Sequence, residues 1–530
     1  MSEVQYSVQQ LDVIMVVVYF VFMVGLGIWL SRGSHDSKDY FLAGRSMTWP
    51  IVGLSLFASQ ISSTSLVGLA GAAYASGISI YNYEWMSAVI LVFFCLFILP
   101  FIIKSQVYTM PEFLAKRFDD RARTYFSIVT LILNIIVDTA GSLFAGALII
   151  KLVLPTVPLW QTIALLAFVA GLYTIVGGLK AVMVTDVIQA VILIVGSIFI
   201  SIFAISAAGG LGAIEAQISA DKMSLFRPLS DPVMPWLGVI TGVPIMGFYF
   251  WCTNQFMVQR VLSAKNLDHA RWGALFGGFL KIPVLFTMVL PGSAALILYP
   301  ELKQVDLVYP TLMFDLLPVG ILGIVLAGFI AALMSQIDST LNSASTLVTM
   351  DFIRRYRPGM SDVALMKAGR VVTLIFMLIA VMWAPQIENF GSLFQYLQNV
   401  LAFATPPVVV LFLFGIFWER ANSQGAFAAI IAGVVSAAVL FVLAEYPGEV
   451  LDLHFLYVAP ILLCVSALAM IIGSLTSSKP SKDDIAHLIW NRSFFREETL
   501  KLKDVHWSQN YRVHSAGIVV LCILVIAVYW

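Results

Sequence analysis

"FASQISSTSLVGLAG", residues 57–71, puts five hydroxyls and one amide within nine consecutive positions of an otherwise apolar stretch, with Gly68 and Gly71 close behind. A helix that merely crossed lipid would not carry them. Unwound backbone at membrane depth is tolerated only where it lines a cavity or is buried in protein, so this run reads as a broken helix whose polar groups flank the break. A second interrupted stretch, "GVITGVPIMGFYFWCTNQ" at 238–255, carries Gly242, Pro244 and Gly247, where the same reading places a second break.

The chain around them fits a membrane. Of its 530 residues only 11% are charged and 60% are hydrophobic, and the mean hydropathy is +0.93. Soluble proteins carry about 25% charged residues. Apolar runs near the roughly 20 residues that cross a bilayer recur throughout, and the alternating pattern of a membrane β-barrel is missing from them. Fourteen spans are expected, at about 12–30, 49–76, 82–103, 125–151, 158–176, 183–207, 235–258, 271–298, 315–348, 369–384, 391–416, 425–444, 455–474 and 514–530. With the N-terminus placed outside, and residues at span ends counted with the adjoining connection, 25 of the 30 Lys and Arg fall inside and four outside. That asymmetry orients the chain with both termini extracytoplasmic. The first apolar run lacks a cleavable signal pattern and is long enough to span.

The interrupted segments are the second and seventh spans. Five apart, they run in opposite directions, as an inverted repeat of five helices requires. The small residues Gly68 and Gly71 also suit close helix packing alone. Four cysteines (95, 252, 464, 522) lie in apolar segments without paired spacing, and the six histidines form no metal-ligand motif. No nucleophile–base pair marks an enzyme, no organic cofactor is implied, and a net charge of zero gives no footing for nucleic acid.

Ionisable residues inside the spans are few: Glu84, Asp138, Asp186, Lys281 and Asp338. Each costs about 2.5–3.5 kcal/mol at a helix centre, so each calls for a partner or a function. Lys281, in "GGFLKIPVLF", needs a carboxylate or a ligand's oxygens. Asp338, in "LMSQIDSTLNSAS", shares a helix face with Ser335, Ser339 and Asn342, a setting that suits a small hard cation. Asp186 follows "GGLKAVMVT", a stretch expected to be a short loop, and Asp138 has no evident local partner.

Several long motifs in order, "DYFLAGRSM", "SLFASQIS", "YEWMS", "YTMPEFLAKRF", "LYTIVGGLKAVMVTDVIQ", "NSASTLVTMDF" and "FQYLQNVLAFATPP", resemble the solute:sodium symporter family, in particular its sodium/sugar (glucose/galactose/inositol-type) cotransporters. The resemblance covers residue 12 onward. It implies an all-α membrane protein of the leucine-transporter type, working by alternating access as one transporter domain over 1–530. The first extra helix and loop would occupy 12–47, the inverted repeats 48–207 and 235–416, and the extra C-terminal helices 425–530. Partners would be the bilayer, sodium, and a sugar or polyol, in a plasma (inner) membrane.

Carried onto this sequence, the resemblance implies a sodium site from the carbonyls of Ala58, Ile61 and Ala332 and the hydroxyl of Ser335. Gln336 stands where the family usually has a second serine. A second cation site would use Asp186, Asp338 and Ser339, with aspartate at the second position as in the inositol-type branch. The solute would meet Glu84, Ser87, Lys281 and Gln398, with Phe250 beside Tyr249 as an aromatic gate. Gln60 and Ser65 replace the asparagine and the larger glutamine or histidine of the glucose/galactose pattern. Polar and charged groups on one cavity suit a polyol, whose hydroxyls both donate and accept. The alternatives are a sialic-acid-like carboxylate, another organic solute, proton coupling, or a sensor.

Overall fold

A computed structural model describes residues 6, 8–31, 37–390, 392–445, 453–481 and 485–530, and the described residues are helical throughout with two isolated β-bridges. Ten helices among them are long and apolar enough to cross a membrane, or eleven if the bent pair Leu393–Ala404 and Pro406–Phe417 counts as one span. Fourteen crossings were expected, and the difference arises where helices break or fuse. The 49–76 segment divides into Trp49–Gln60 and Ser63–Ser76, each too short to span alone. The 271–298 segment unwinds between Leu267–Phe279 and the π-turn that opens at Leu285. There Pro283 removes an N–H from the ladder, and Tyr81 donates to the freed carbonyl of Ile282 at 2.8 Å. The reverse happens at 177–186, where the expected loop is part of one helical run, Leu159–Ala207. Thr185 bonds back to the carbonyls of Ala181 and Val182 there, at 3.0 and 2.8 Å.

The second break also differs from expectation. Helix Trp236–Phe248 runs straight through Gly242 and Pro244, passes into a π-turn over Tyr249–Thr253, and ends only at Asn254. Asn254 leaves helical geometry (φ −60°, ψ 128°) and its side chain caps the next helix, Gln255–Leu262. Gly242 serves packing instead: a Cβ there would lie 2.4 Å from the carbonyl oxygen of Leu456. At Gly71 a Cβ would come within 2.6 Å of the Val305 carbonyl oxygen, so close approach explains that glycine as well.

Of the candidate spans the most buried is the one that begins with helix Ile321–Leu347. Its N-terminus is capped from another helix, because Asp12 of Gln10–Ser31 accepts hydrogen bonds from Gly320 N–H at 2.7 Å and Gly323 N–H at 2.8 Å. A buried carboxylate there answers both the orphan N–H groups and the positive helix end. The first helix is thereby fastened to the core.

Candidate functional site

The first break sits at Ile61 (φ −80°, ψ 79°) and Ser62 (φ −93°, ψ 177°). Ile61 N–H still reaches Phe57 O at 2.9 Å, but Ser62 N–H turns back to Gln60 O at 3.0 Å. Ser65 Oγ donates to the same carbonyl at 2.7 Å, and Ser62 Oγ caps the N–H of Ser65. The carbonyl of Gln60 is thus served twice. Those of Ala58 and Ile61 receive no backbone N–H across the break among the described residues. The hydroxyl run named at the outset therefore caps a break and leaves backbone oxygens over.

Helix Ile321–Leu347 lies against this break, with Ser59 Oγ 3.1 Å from Ser339 Oγ. Ser335 Oγ donates to Asp186 Oδ1 at 2.6 Å. The hydroxyl keeps its lone pairs for another partner. Asp186 Oδ2 takes Ser55 Oγ at 2.5 Å and Arg260 Nη2 at 3.0 Å. Arg260 also donates to Ser55 Oγ at 2.8 Å, to Phe256 O at 2.6 Å, and to Ser339 Oγ. The Arg260 and Asp186 side chains are 1% and 0% exposed.

The structure sets a cation of the protein's own at part of the expected second cation site. At Asp186 and Ser339 the cation is the guanidinium of Arg260, which sequence reading had counted among the basic residues of an inside connection. Asp338, also buried, lies near enough to Arg260 and to Tyr19 of the first helix to act on both electrostatically.

Between the two broken helices is a cavity with an empty volume of about 890 Å³, its open side included. Six of the eight residues expected at the solute line it: Gln60, Ser65, Glu84, Ser87, Phe250 and Gln398. The other two stand elsewhere. Lys281 is wholly buried behind Glu84, 3.0 Å from its Oε2, with the rings of Phe57 and Trp251 at 5.6 and 5.4 Å. Tyr249 is buried on another side, edge-on to Phe126 at 6.5 Å. The gate position at the cavity is Phe250 alone.

Among the further lining residues are one carboxylate and one amide that the sequence did not bring there. Asp138 enters from the π-turn Asn134–Thr139, inside the span Asp120–Val153. Gln336, which stands where the family usually has a second serine of the sodium site, faces the same cavity, and its Nε2 donates to Asp138 Oδ1 at 3.2 Å. A π-turn inside a helix is a common mark of a functional position. Across the cavity Gln60 Nε2 donates to Glu84 Oε1 at 3.3 Å.

Fold and site together define a multi-pass, all-helical membrane transport protein. The chain belongs to the sodium:solute symporter family, whose model matches residues 40–433. It is 37% identical to sodium/glucose cotransporter 4 of Danio rerio, over 94% of this chain and 84% of that one. It is 36% identical to sodium/myo-inositol cotransporter 2 of Oryctolagus cuniculus, over 92% and 80%. Among solved structures it resembles a substrate-bound, outward-open Na+-coupled sialic acid symporter, with a TM-score of 0.78 at 23% identity over 89% of this chain and 99% of that one. A nucleobase-cation-symport-1 family transporter in a closed conformation follows, with a TM-score of 0.56 at 15% identity over 85% and 97%. The fold is of the leucine-transporter type, and the protein is a sodium-coupled solute symporter, not an enzyme.

Proposed function

We propose that this protein imports a sugar or polyol with sodium by alternating access, in a plasma (inner) membrane with both termini outside. The observation that carries the reading is the cavity wall, where Gln60, Ser65, Glu84, Ser87 and Gln398 put acceptors and donors from several helices around one space. Hydroxyls of a polyol can satisfy both kinds. The relatives named for glucose and myo-inositol cotransport support the same solute class.

Glu84 touches the solute, and Lys281 acts through Glu84, holding its carboxylate in place at 3.0 Å. A carboxylate-bearing solute is disfavoured, because Lys281 is already engaged by Glu84.

Sodium binds at the first break, to the carbonyls of Ala58, Ile61 and Ala332 and the hydroxyl of Ser335. The carbonyls left over at Ala58 and Ile61 support this, and so does the Ser335 hydrogen bond to Asp186, which orients the hydroxyl. An ion bridging the break and helix Ile321–Leu347 favours one arrangement of the two, and the coupling to solute is reciprocal. One charge moved through 100 mV supplies about 2.3 kcal/mol, enough for roughly 40- to 50-fold accumulation. With Arg260 beside Asp186, we expect one sodium per solute.

The test is uptake into proteoliposomes of labelled hexoses and inositols, in sodium and in choline at fixed potential. Sodium-dependent accumulation of at least one is expected. Equal uptake in both salts overturns the coupling, and no uptake of any overturns the solute class.

A further inference from the structure

Charges and hydrogen-bonding groups at the cavity do not balance. Glu84 is matched by Lys281, but Asp138 forms no ion pair among the described residues, so one carboxylate is in excess. The amides next to the two carboxylates add to the imbalance. Gln60 spends its N–H on Glu84, and Gln336 spends its N–H on Asp138. Neither amide can be turned over, since that would set oxygen against carboxylate oxygen. The Oε1 atoms of both are buried and have no hydrogen-bond partner. A buried acceptor without a donor is costly; one lies beside the unmatched Asp138 and the other beside Glu84 across the cavity, so these two parts of the wall call for donors, and the Asp138 side for positive charge.

From this we infer that Asp138 is a specificity-determining residue, and that the cavity takes a polyol bearing a protonated amine, an amino sugar or aminocyclitol, with its ammonium against Asp138. An ammonium brings three donors and no acceptor, which is what this wall lacks. A neutral polyol adds an acceptor with each hydroxyl, and a uronate adds a second carboxylate. The amine would approach the seam where Asp138 and Gln336 meet, and the hydroxyls would reach Glu84, Ser87 and Gln398 across the cavity. This inference rests on the polyol reading of the site and narrows it.

Binding to the purified full chain in sodium, measured by titration calorimetry, tests it without requiring transport. The probes are glucose, its amino-deoxy isomers at each ring carbon and at the exocyclic carbon, N-acetylglucosamine, and glucuronate. At least one amine isomer should bind about tenfold or more tighter than glucose, in line with a charge-assisted hydrogen bond. Acetylation should remove the advantage, and glucuronate should bind weakest. In Asp138→Asn the amine and the hexose should bind alike. Comparing probes within one protein cancels any general loss of competence, and the unmodified chain decides the matter even if the variant fails to fold.

Glucose binding as tightly as every amine isomer overturns the inference while leaving the polyol reading intact. So does an amine preference that survives Asp138→Asn. No binding by any probe overturns the polyol reading and this inference with it.

Discussion

Two buried ion pairs, Glu84–Lys281 and Asp186–Arg260, share an N···O distance of 3.0 Å and close to zero exposure. Their surroundings separate them. Arg260 spends its donors on Asp186, Ser55, Ser339 and Phe256, all within the protein. Lys281 has Glu84 and two aromatic faces, and Glu84 opens onto the cavity. A guanidinium with a planar fork suits a fixed network, whereas an ammonium on a flexible stem suits a partner that must respond. The first pair is therefore built to hold helices together, and the second to report what enters the cavity. The Coulomb contact is the same; the second partners decide the role.

Breaking the closed pair should have the largest effect. Arg260→Met leaves Asp186 buried without its cation, a loss of about 3–5 kcal/mol. Thermal melting of the purified protein should fall steeply, or folded yield should collapse. Arg260→Met with Asp186→Leu should recover much of that stability, because two apolar groups replace a matched pair. A single variant that melts like the parent would place no weight on this network.

The open pair should behave differently. Lys281→Ala and Glu84→Gln should lower the melting temperature less than Arg260→Met does, because Glu84 opens onto the cavity, while solute affinity drops about 10- to 150-fold, the cost of one charge-assisted hydrogen bond. If both variants instead unfold, the distinction between the pairs is lost. If both bind solute normally, Glu84 is not a contact.

Sequence legibility follows the same division. Glu84 and Lys281 stand out because each is ionisable within an apolar run, where insertion cost alone demands an explanation. Arg260 does not, since "NQFMVQRVLSAKN" reads as a polar connection and only tertiary packing buries it. The first break was visible in its own hydroxyls. The second was misplaced because Gly242 and Pro244 imitate a break within a helix that runs on through them, where Gly242 serves helix contact. Tyr249 and Phe250 sit in a π-turn, which shifts side chains off the 3.6-residue period and makes facing unreadable. Asp138 was visible as an ionisable residue, but its partner Gln336 lies on a helix far along the chain. No local pattern could have joined them.

Ser335 donates to the closed pair and, on our reading, is a ligand of sodium. Ser335→Ala should raise the sodium concentration for half-maximal uptake severalfold, with a smaller change in solute affinity at saturating sodium. Gln336→Ala should leave sodium dependence near the parent's and change solute selectivity instead, because Gln336 faces the cavity. Sodium dependence that shifts with Gln336 and not with Ser335 would reverse the assignment.

The smallest effect is expected at a third ion pair, whose carboxylate, Glu498, lies outside the spans and which shows what partial exposure does to such a contact. Arg271 is buried on helix Leu267–Phe279, just before the turn that carries Lys281. Its Nη1 meets Glu498 Oε1 at 2.6 Å and its guanidinium stacks on Tyr511 at 3.9 Å, while Tyr511 and Arg512 also bond Glu498. The contact ties segments Arg492–Leu502 and Tyr511–Val528 to the core. Burial pushes the Glu498 carboxyl up, but Arg271, with Tyr511 and Arg512, outweighs it and holds the group below its usual range. A carboxyl lowered on folding stabilises fully above its unfolded pKa of about 4.3 and loses that contribution as pH falls through the lower folded value. Hydrogen exchange across 492–528 should therefore be slow at neutral pH and quicken only below about pH 4, after correction for intrinsic rates. Glu498→Gln should exchange somewhat faster at neutral pH and lose this pH dependence. The change should be modest, since a partly exposed pair is screened by water and salt. Exchange in Glu498→Gln that quickens below pH 4 as the parent's does would assign the acid sensitivity to another group and leave this tie without weight.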